Sequence, residues 1–202
     1  MKLPKNFDEL PESDGTGLQK PPPGAYVCRV MRVQSTTSKG GRPMLVLDLD
    51  IAEGPFADWY AHDNDDRASK NLEMRWARLY QLTDGTSAPI CKHMLKNFER
   101  SNPKYLIDDY TVGDEFDETS LKGKLIGVML AGDEYAINGQ VRMSLKPDRT
   151  LPISKVREGK APEPRIRGAD GKWRKASEPP PEPEPEPEEA GMELLDERDI
   201  PF

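Results

Sequence analysis

The sequence contains little cysteine and histidine and no long apolar run. Its 202 residues include two cysteines and two histidines, and these do not form a set at the spacing of a zinc site. A disulfide framework is therefore excluded, and we expect Cys28 and Cys91 to be reduced and buried. No stretch approaches the roughly 20 apolar residues that cross a bilayer, and the N-terminus lacks the apolar core of a signal peptide. We therefore expect a soluble, cytoplasmic protein that does not enter a membrane.

The sequence also lacks the motifs of the common enzyme classes. It has no Gly-rich phosphate loop, no nucleophile elbow and no cluster of histidine and cysteine that could hold a catalytic metal. The acidic pairs Asp65-Asp66 and Asp108-Asp109 stand in segments with the composition of loops, where they are expected to be turn residues. A nuclease site made of carboxylates alone stays open as an alternative. We expect no enzymatic activity, no cofactor and no metal.

Negative charge is concentrated at one end of the chain. Residues 177–202 contain ten acidic residues and one basic residue, Arg198, whereas the other 176 residues contain 28 basic and 26 acidic residues. The formal net charge of −7 therefore describes mainly the tail. The remaining part of the chain is slightly basic, which is compatible with a polyanionic partner.

Composition divides the chain into four parts. Residues 1–23 mix charges with glycine and end in three prolines, which predicts a flexible N-terminal arm. Residues 24–158 contain most of the apolar residues, and we expect them to form one domain. Residues 159–191 have too few apolar residues to fold, and their Glu-Pro repeat predicts a disordered, extended linker. In residues 192–202 apolar residues reappear, so we expect an acidic interaction peptide there.

Two strands are predicted at the start of the domain. Residues 26–34 are rich in β-branched side chains, and Gly40, Gly41 and Pro43 separate them from a second apolar run. In that run, apolar residues alternate with polar ones, which is the pattern of a strand buried on one face. We expect the core face to consist of Leu45, Leu47, Leu49 and Ile51. Asp48 and Asp50 are then expected on the solvent face.

The middle of the domain is predicted to contain a strand, a loop, a strand and a helix in that order. Residues 56–63 predict a short strand and residues 63–71 a loop. The mixed periods of residues 72–82 fit either a strand or a short helix, and we favour the strand. A helix is expected to start at Ser87 and to stop at Asn102-Pro103. Its apolar stripe is expected to contain Ile90, Met94, Leu95 and Phe98, with His93 on the surface.

A hairpin closes the predicted domain. Residues 124–146 contain an apolar run, the turn sequence Asn138-Gly139 and an alternating strand. The elements together predict a mainly β protein: an OB-like, five-stranded, partly open barrel with one intervening α-helix and disordered termini. A small β-sandwich fits the same elements almost as well.

The C-terminal peptide carries the clearest functional motif. Ile200-Pro201-Phe202 presents an aromatic ring together with the α-carboxylate, and Pro201 restricts the backbone between them. Such a group fits an apolar pocket with a basic rim, and neighbouring acids would speed the encounter. The residues expected to bind the partner are Asp196, Glu197, Asp199, Ile200, Pro201 and Phe202.

This ending resembles that of bacterial single-stranded DNA-binding proteins, whose acidic tails finish in Asp-Ile-Pro-Phe. It differs at Arg198, which interrupts the acidic run. The resemblance implies that the tail recruits enzymes of replication, recombination and repair, from the host or from a phage.

Residues 20 to 165 are similar to a group of bacteriophage proteins related to phage single-stranded DNA-binding proteins. The similarity lies in three short patterns, which lead into the first, second and a later strand. These patterns consist of Pro22, Gly24 and Tyr26; Lys39, Gly41, Pro43 and Met44; and Leu121, Gly123 and Lys124. The resemblance implies that the protein coats single-stranded DNA during phage replication or recombination in the cytoplasm of an infected bacterium.

Binding of unpaired nucleotides requires exposed aromatic rings for stacking and cations along the backbone. The segment Arg75-Trp76-Ala77-Arg78-Leu79-Tyr80 is the best such cluster, because Trp76, Arg78 and Tyr80 share one face if it is a strand. Trp59 and Tyr60 come next, with one of the two expected inside. The residues expected to contact DNA are Arg32, Lys39, Arg42, Trp59, Tyr60, Arg75, Trp76, Arg78, Tyr80, Arg142 and Lys146.

Two other functions compete with DNA binding. The protein could be an adaptor that only presents its tail, or a DNA mimic whose acids occupy a DNA-binding surface. A mimic should spread acids over its folded part, whereas here that part is slightly basic. The sequence leaves open whether the protein is a homo-oligomer and whether it prefers DNA or RNA.

Overall fold

The computed structural model describes residues 19–138 and 140–179 and is mainly β, as predicted. The nine strands are β1 (Gly24–Thr37), β2 (Pro43–Ile51), β3 (Ala77–Leu82), β4 (Thr111–Val112), β5 (Glu115–Phe116), β6 (Leu125–Ile137), β7 (Gln140–Leu151), β8 (Arg165–Arg167) and β9 (Trp173–Lys175). The three α-helices are α1 (Trp59–Ser69), α2 (Ala88–Ser101) and α3 (Ile153–Arg157). None of the helices described is long and apolar enough to cross a membrane.

Five strands form the barrel. They follow the order β3-β2-β1-β6-β7, and every neighbouring pair is antiparallel. β3 and β7 approach each other but do not pair in the described sheet, so the barrel is partly open. The helix α2 lies in the chain between β3 and β6. This topology fits the OB-type barrel that was predicted. The prediction of a single intervening helix is wrong, since α1 lies between β2 and β3.

The core agrees with the strand alternation. Leu45, Leu47, Leu49 and Ile51 of β2 are all buried, as predicted, and Cys28 and Cys91 are buried and free. Burial raises the pKa of the Cys28 thiol well above its ordinary value.

The prediction that Asp48 and Asp50 face solvent is wrong. Each residue is only 1% exposed, because each carboxylate has partners from another part of the chain. The side chain of Asp48 is bonded to two arginines. That of Asp50 accepts backbone N–H groups from Ile51, Tyr60 and Ala61 at 2.8, 2.9 and 3.0 Å. Alternation predicted the face correctly, but it does not reveal what covers that face.

The strand at residues 56–63 and the loop at residues 63–71 are wrong predictions, since residues 59–69 form α1. Asp58 at the N-cap makes no side-chain capping bond. The Asp50 carboxylate supplies an acceptor from β2 instead, so the helix start has no signal in its own segment. As a result Asp65 and Asp66 lie on a helix and not in a loop. The strand predicted at residues 72–82 is shorter, because only residues 77–82 form β3.

Helix α2 runs from Ala88 to Ser101, close to the prediction. Its buried apolar stripe is Cys91, Met94 and Phe98, with Leu95 half-buried. Ile90 is 60% exposed, so its assignment to the stripe is wrong. His93 is on the surface as predicted.

The hairpin of β6 and β7 is confirmed, and its register pairs Ile137 with Gln140. Asn138 adopts a positive φ of 51°, a conformation that asparagine tolerates in turns. Gly139 lies outside the described residues.

Residues beyond 158 were expected to stay unfolded, but β8 and β9 extend the sheet. β7 pairs along β6 from Gly127 to Ile137, so β1 and β8 must share its other edge in succession. Because β8 is held to this edge by backbone hydrogen bonds, it needs few apolar residues. Ile166 is the one buried residue of β8. The expectation for residues 180–191 and 192–202 concerns residues outside the structure described, as does that for residues 1–18 of the arm. Pro21 of the expected arm is buried.

We predict that Asp50→Ala destabilises the protein, because three backbone N–H groups lose their acceptor. An unsatisfied buried donor costs about 1–3 kcal/mol, so the free energy of unfolding in urea should fall by at least about 1 kcal/mol. The control Asp65→Ala, on the exposed side of α1, should change it by less than about 0.5 kcal/mol. Equal effects of the two substitutions would contradict the anchoring role of Asp50.

Candidate nucleic-acid interface

The first candidate surface is the outer face of β1, β2 and β3. On β3, Ala77 and Leu79 are buried while Arg78 and Tyr80 point outward. The register aligns Asp48 with Arg32 on one side and with Arg78 on the other. Tyr80 lies on the same face and is 58% exposed. We call the surface formed by Arg32, Arg78 and Tyr80 the sheet face.

The buried Asp48 carboxylate fixes both arginines of the sheet face. Its Oδ2 atom lies 2.7 Å from an Nη atom of Arg32, and its Oδ1 atom lies 2.6 Å from Nε of Arg78. The hydrogen bond to Asp48 also raises the pKa of Arg78. A guanidinium has five N–H donors, and the side chains of Arg32 and Arg78 remain 63% and 40% exposed. Two fixed cations with one shared carboxylate leave a net positive charge beside Tyr80.

The second candidate surface is a cleft of about 470 Å³ between α1, the segment before β3 and the hairpin of β6 and β7. Four aromatic residues line it, namely Trp59, Tyr60, Trp76 and Tyr135, of which Tyr60 is buried. Two cations, Lys20 and Arg75, and one acid, Asp63, also lie at its wall. We call this site the aromatic cleft. Rings and cations in one concave site are what stacking and backbone contacts to an unpaired strand require.

Two sets of hydrogen bonds fix the walls of the aromatic cleft. Asn64 is buried on α1, and its side-chain amide donates to the carbonyl of Arg75 at 2.8 Å and accepts from the N–H of Arg75 at 2.6 Å. This pair of bonds holds the chain that leads into β3. Trp59 donates from Nε1 to the carbonyl of Gln19 at 2.8 Å, which holds the N-terminal wall.

The structure divides the residues predicted to contact DNA into separate groups. Trp59, Arg75 and Trp76 meet in the aromatic cleft, whereas Arg32, Arg78 and Tyr80 form the sheet face. The idea that Trp76 shares a strand face with Arg78 and Tyr80 is wrong in one respect, because Trp76 precedes β3.

Tyr60 is 6% exposed and packs edge-to-face on Trp59, with ring centroids 4.9 Å apart. One of this pair is therefore inside, as expected, and Tyr60 is too buried to stack with a base.

The remaining predicted cations lie outside both surfaces, in the loop between β1 and β2 and on β7. Lys39 is exposed in the loop between β1 and β2, and Arg42 in the same loop is paired with Asp84 at 2.7 Å. On β7, Arg142 is exposed and Lys146 is paired with Asp133. Met143 lines the aromatic cleft, and Arg142 does not.

Sequence reasoning missed Tyr135 and Lys20 in the aromatic cleft. Tyr135 is 39% exposed and lies on β6. The sequence of this strand does not distinguish it from any other residue that faces outward. Lys20 stands in the segment that was expected to be a loose arm. For Tyr135, the only signal in the sequence was an aromatic residue close to the Asn138-Gly139 turn. The sequence held no signal for Lys20.

The residues expected to bind a partner lie outside the described residues. They are Asp196, Glu197, Asp199, Ile200, Pro201 and Phe202. Within residues 19–138 and 140–179, no group of three or more histidine, cysteine, aspartate or glutamate side chains is arranged to hold a metal ion.

Residues 7–83 match the model of a family described as a protein of unknown function, DUF669. The matched segment includes β1, β2, α1 and β3, so it contains the whole sheet face and the wall of the aromatic cleft formed by Trp59, Arg75 and Trp76. A comparison with curated proteins finds no match.

Proposed function

We propose that this protein binds single-stranded DNA without sequence preference and coats it during phage replication or recombination. The observation that carries the proposal is the sheet face, on which an exposed ring stands beside two fixed guanidinium groups. In OB-type barrels, the face of the second and third strands and the adjoining loops bind oligonucleotides. The sheet face lies on the same sheet, with Arg32 on β1 and with Arg78 and Tyr80 on β3, and this position supports the proposal.

Stacking supplies the first part of the binding energy. A base stacked on an aromatic side chain contributes about 1–3 kcal/mol, and every base has a π-face. Tyr80 offers such a ring on the sheet face. Trp59, Trp76 and Tyr135 offer three more in the aromatic cleft. Because stacking does not read base edges, the protein is expected to tolerate many sequences.

Phosphate contacts supply the second part. Arg32 and Arg78 cannot swing away from the sheet face without leaving the Asp48 carboxylate buried and unpaired, which is costly. Their free N–H groups are therefore held ready for phosphate oxygens. Lys20 and Arg75 supply further cations at the aromatic cleft.

The tail and the phage context extend the proposal. The similarity of residues 20 to 165 to phage single-stranded DNA-binding proteins supports action in the cytoplasm of an infected bacterium. The Asp-Ile-Pro-Phe sequence at residues 199–202 supports recruitment of replication, recombination or repair enzymes from host or phage. The acidic linker would carry this peptide away from the bound strand.

We predict salt-sensitive binding of the full chain to fluorescently labelled oligo(dT), measured by anisotropy. If about four phosphates are neutralised, log K should fall with log salt at a slope near −3, since each single-strand contact contributes about 0.7. A duplex of the same length should bind more weakly, because its bases are not free to stack. Absence of salt-sensitive binding would overturn the proposal in favour of an adaptor or a DNA mimic.

Substitution of Tyr80 tests the sheet face directly. Tyr80→Ala should weaken oligo(dT) binding about 5- to 150-fold, the equivalent of one lost stacked base, whereas Tyr80→Phe should keep most of the affinity. Tyr110 is an exposed ring outside the sheet face and the aromatic cleft, so Tyr110→Ala is a matched control that should bind like the wild type. The same loss in both alanine variants would argue against a specific role of Tyr80.

Deletion of residues 192–202 separates the two activities. The shortened chain should bind oligo(dT) equally well or more tightly, because a tethered polyanion no longer competes for the cationic surface. It should lose the enzymes that the full chain retains in a pull-down from bacterial lysate, and a synthetic peptide of residues 192–202 should compete for them. Weaker binding to DNA after the deletion would contradict this division of roles.

A further inference from the structure

The hairpin formed by β8 and β9 is strongly basic. Between Arg165 and Lys175 the chain contains five basic residues and one acidic residue, Asp170. The segment also contains Trp173, which is 50% exposed. We call residues 165–175 the basic hairpin; it belongs to neither the sheet face nor the aromatic cleft.

The register sorts the side chains of the basic hairpin onto two faces. Arg165 pairs with Lys175, Ile166 with Arg174, and Arg167 with Trp173. Directly paired residues share a face and neighbours along a strand alternate. One face therefore carries Ile166 and Arg174. The other carries one aromatic ring and three cations, namely Arg165, Arg167, Trp173 and Lys175.

The first of these faces fastens the basic hairpin to the barrel. Ile166 is 6% exposed and Arg174 is nearly buried against Glu134 of β6, with which it forms a salt bridge. Arg165 is fixed as well, because its Nε donates to Asp148 of β7 at 3.2 Å. The guanidinium of Arg165 lies 4.3 Å from the centroid of the Trp173 ring. The exposed face is thus a fixed surface and not a loose loop.

Three cations of the basic hairpin form no side-chain salt bridge within the described residues. Arg167, Lys172 and Lys175 are exposed and form no salt bridge there. The carboxylates of Asp170 and Glu178 accept from the backbone N–H groups of Lys172 and Lys175 at 2.9 and 3.1 Å. The cations outnumber these acids, so the exposed face keeps a net positive charge that suits an anion. An aromatic ring among unpaired cations is the combination that binds an unpaired strand.

The basic hairpin begins where the aromatic cleft ends. A Cβ atom at Gly132 of β6 would lie 2.9 Å from Sδ of Met143 and 3.2 Å from both Cγ of Pro23 and Cγ1 of Ile166. Met143 and Pro23 line the aromatic cleft, and Ile166 belongs to the basic hairpin. The buried face of the basic hairpin, which carries Ile166, therefore lies next to a wall of the aromatic cleft.

We infer that the exposed face of the basic hairpin is a second contact surface for single-stranded nucleic acid, which takes the part of the strand that continues beyond the aromatic cleft. Trp173 stacks with one base, and Arg167, Lys172 and Lys175 contact its flanking phosphates. This inference rests on the proposed function and adds a site outside the family match at residues 7–83.

The test compares a short and a long oligonucleotide on the full chain. OB-type domains cover about 4–16 nucleotides, so an oligo(dT) of about 8 nucleotides should occupy the barrel alone and one of about 30 should reach the basic hairpin. Trp173→Ala should weaken binding of the long oligonucleotide at least about 5-fold and leave the short one unchanged. Trp173→Phe should restore binding to the long one.

A second variant tests the cations and does not depend on removing the ring. The double substitution Arg167→Gln and Lys172→Gln should reduce the salt slope for the long oligonucleotide by about 1.4, which is two contacts at 0.7 each. Lys92 is exposed on α2, and Lys92→Gln is the matched control that should leave the slope unchanged. Thermal unfolding should show that each variant retains the fold.

The possible failures are distinguishable. If the wild type binds neither oligonucleotide, the proposed function itself is overturned. If the wild type binds both and Trp173→Ala binds the long oligonucleotide equally well, the inference is overturned while the proposed function stands. An equal loss for both lengths also overturns the inference, because the basic hairpin would then act through the barrel and not through the continuing strand.

Discussion

Both candidate surfaces on the barrel depend on two carboxylates buried in β2. A buried carboxylate is unfavourable unless hydrogen bonds and opposite charges compensate it. Asp48 is compensated by Arg32 and Arg78, which fixes the sheet face. Asp50 is compensated by backbone N–H groups at the start of α1, which fixes the helix that carries Trp59. Because each buried carboxylate requires these partners, Arg32, Arg78 and the start of α1 are held in fixed positions.

In the proposed function, single arginines combine a structural contact with a contact to phosphate. In Arg78 one edge of the guanidinium serves Asp48, and the side chain still has an exposed part. Arg165 repeats the pattern on the basic hairpin, where Asp148 holds the guanidinium beside Trp173. A cation that is already immobilised loses little conformational freedom when it meets a phosphate. This pre-organisation is the shared physical feature of the sheet face and the basic hairpin.

Sequence patterns predicted the elements whose signals are local. The alternation in β2, the Asn138 turn and the stripe of Met94 and Phe98 identified the barrel strands and α2. The prediction failed where the stabilising partner lies far along the chain. At the start of α1, the carboxylate of Asp50 takes the place of a local capping residue. β8 is stabilised by pairing with the free edge of β6 and not by a run of apolar residues. Of the candidate site, the segment from Arg75 to Tyr80 was identified by its mixture of rings and arginines. The sequence could not identify Tyr135, Lys20 and Trp173, because only the fold brings them near the other candidate residues.

The side chains that pack around Gly132 of β6 come from distant parts of the chain, so this packing is completed late in synthesis. Pro23 and Ile166 are 143 positions apart in the sequence, yet both approach this glycine. The barrel strands β1, β2 and β3 can associate as soon as they leave the ribosome, whereas contacts between distant parts of the chain form slowly. A chain interrupted before residue 166 contains every residue of the sheet face but lacks the side chain of Ile166 that packs at Gly132. The packing around Gly132 is thus completed only after the five barrel strands have been synthesised.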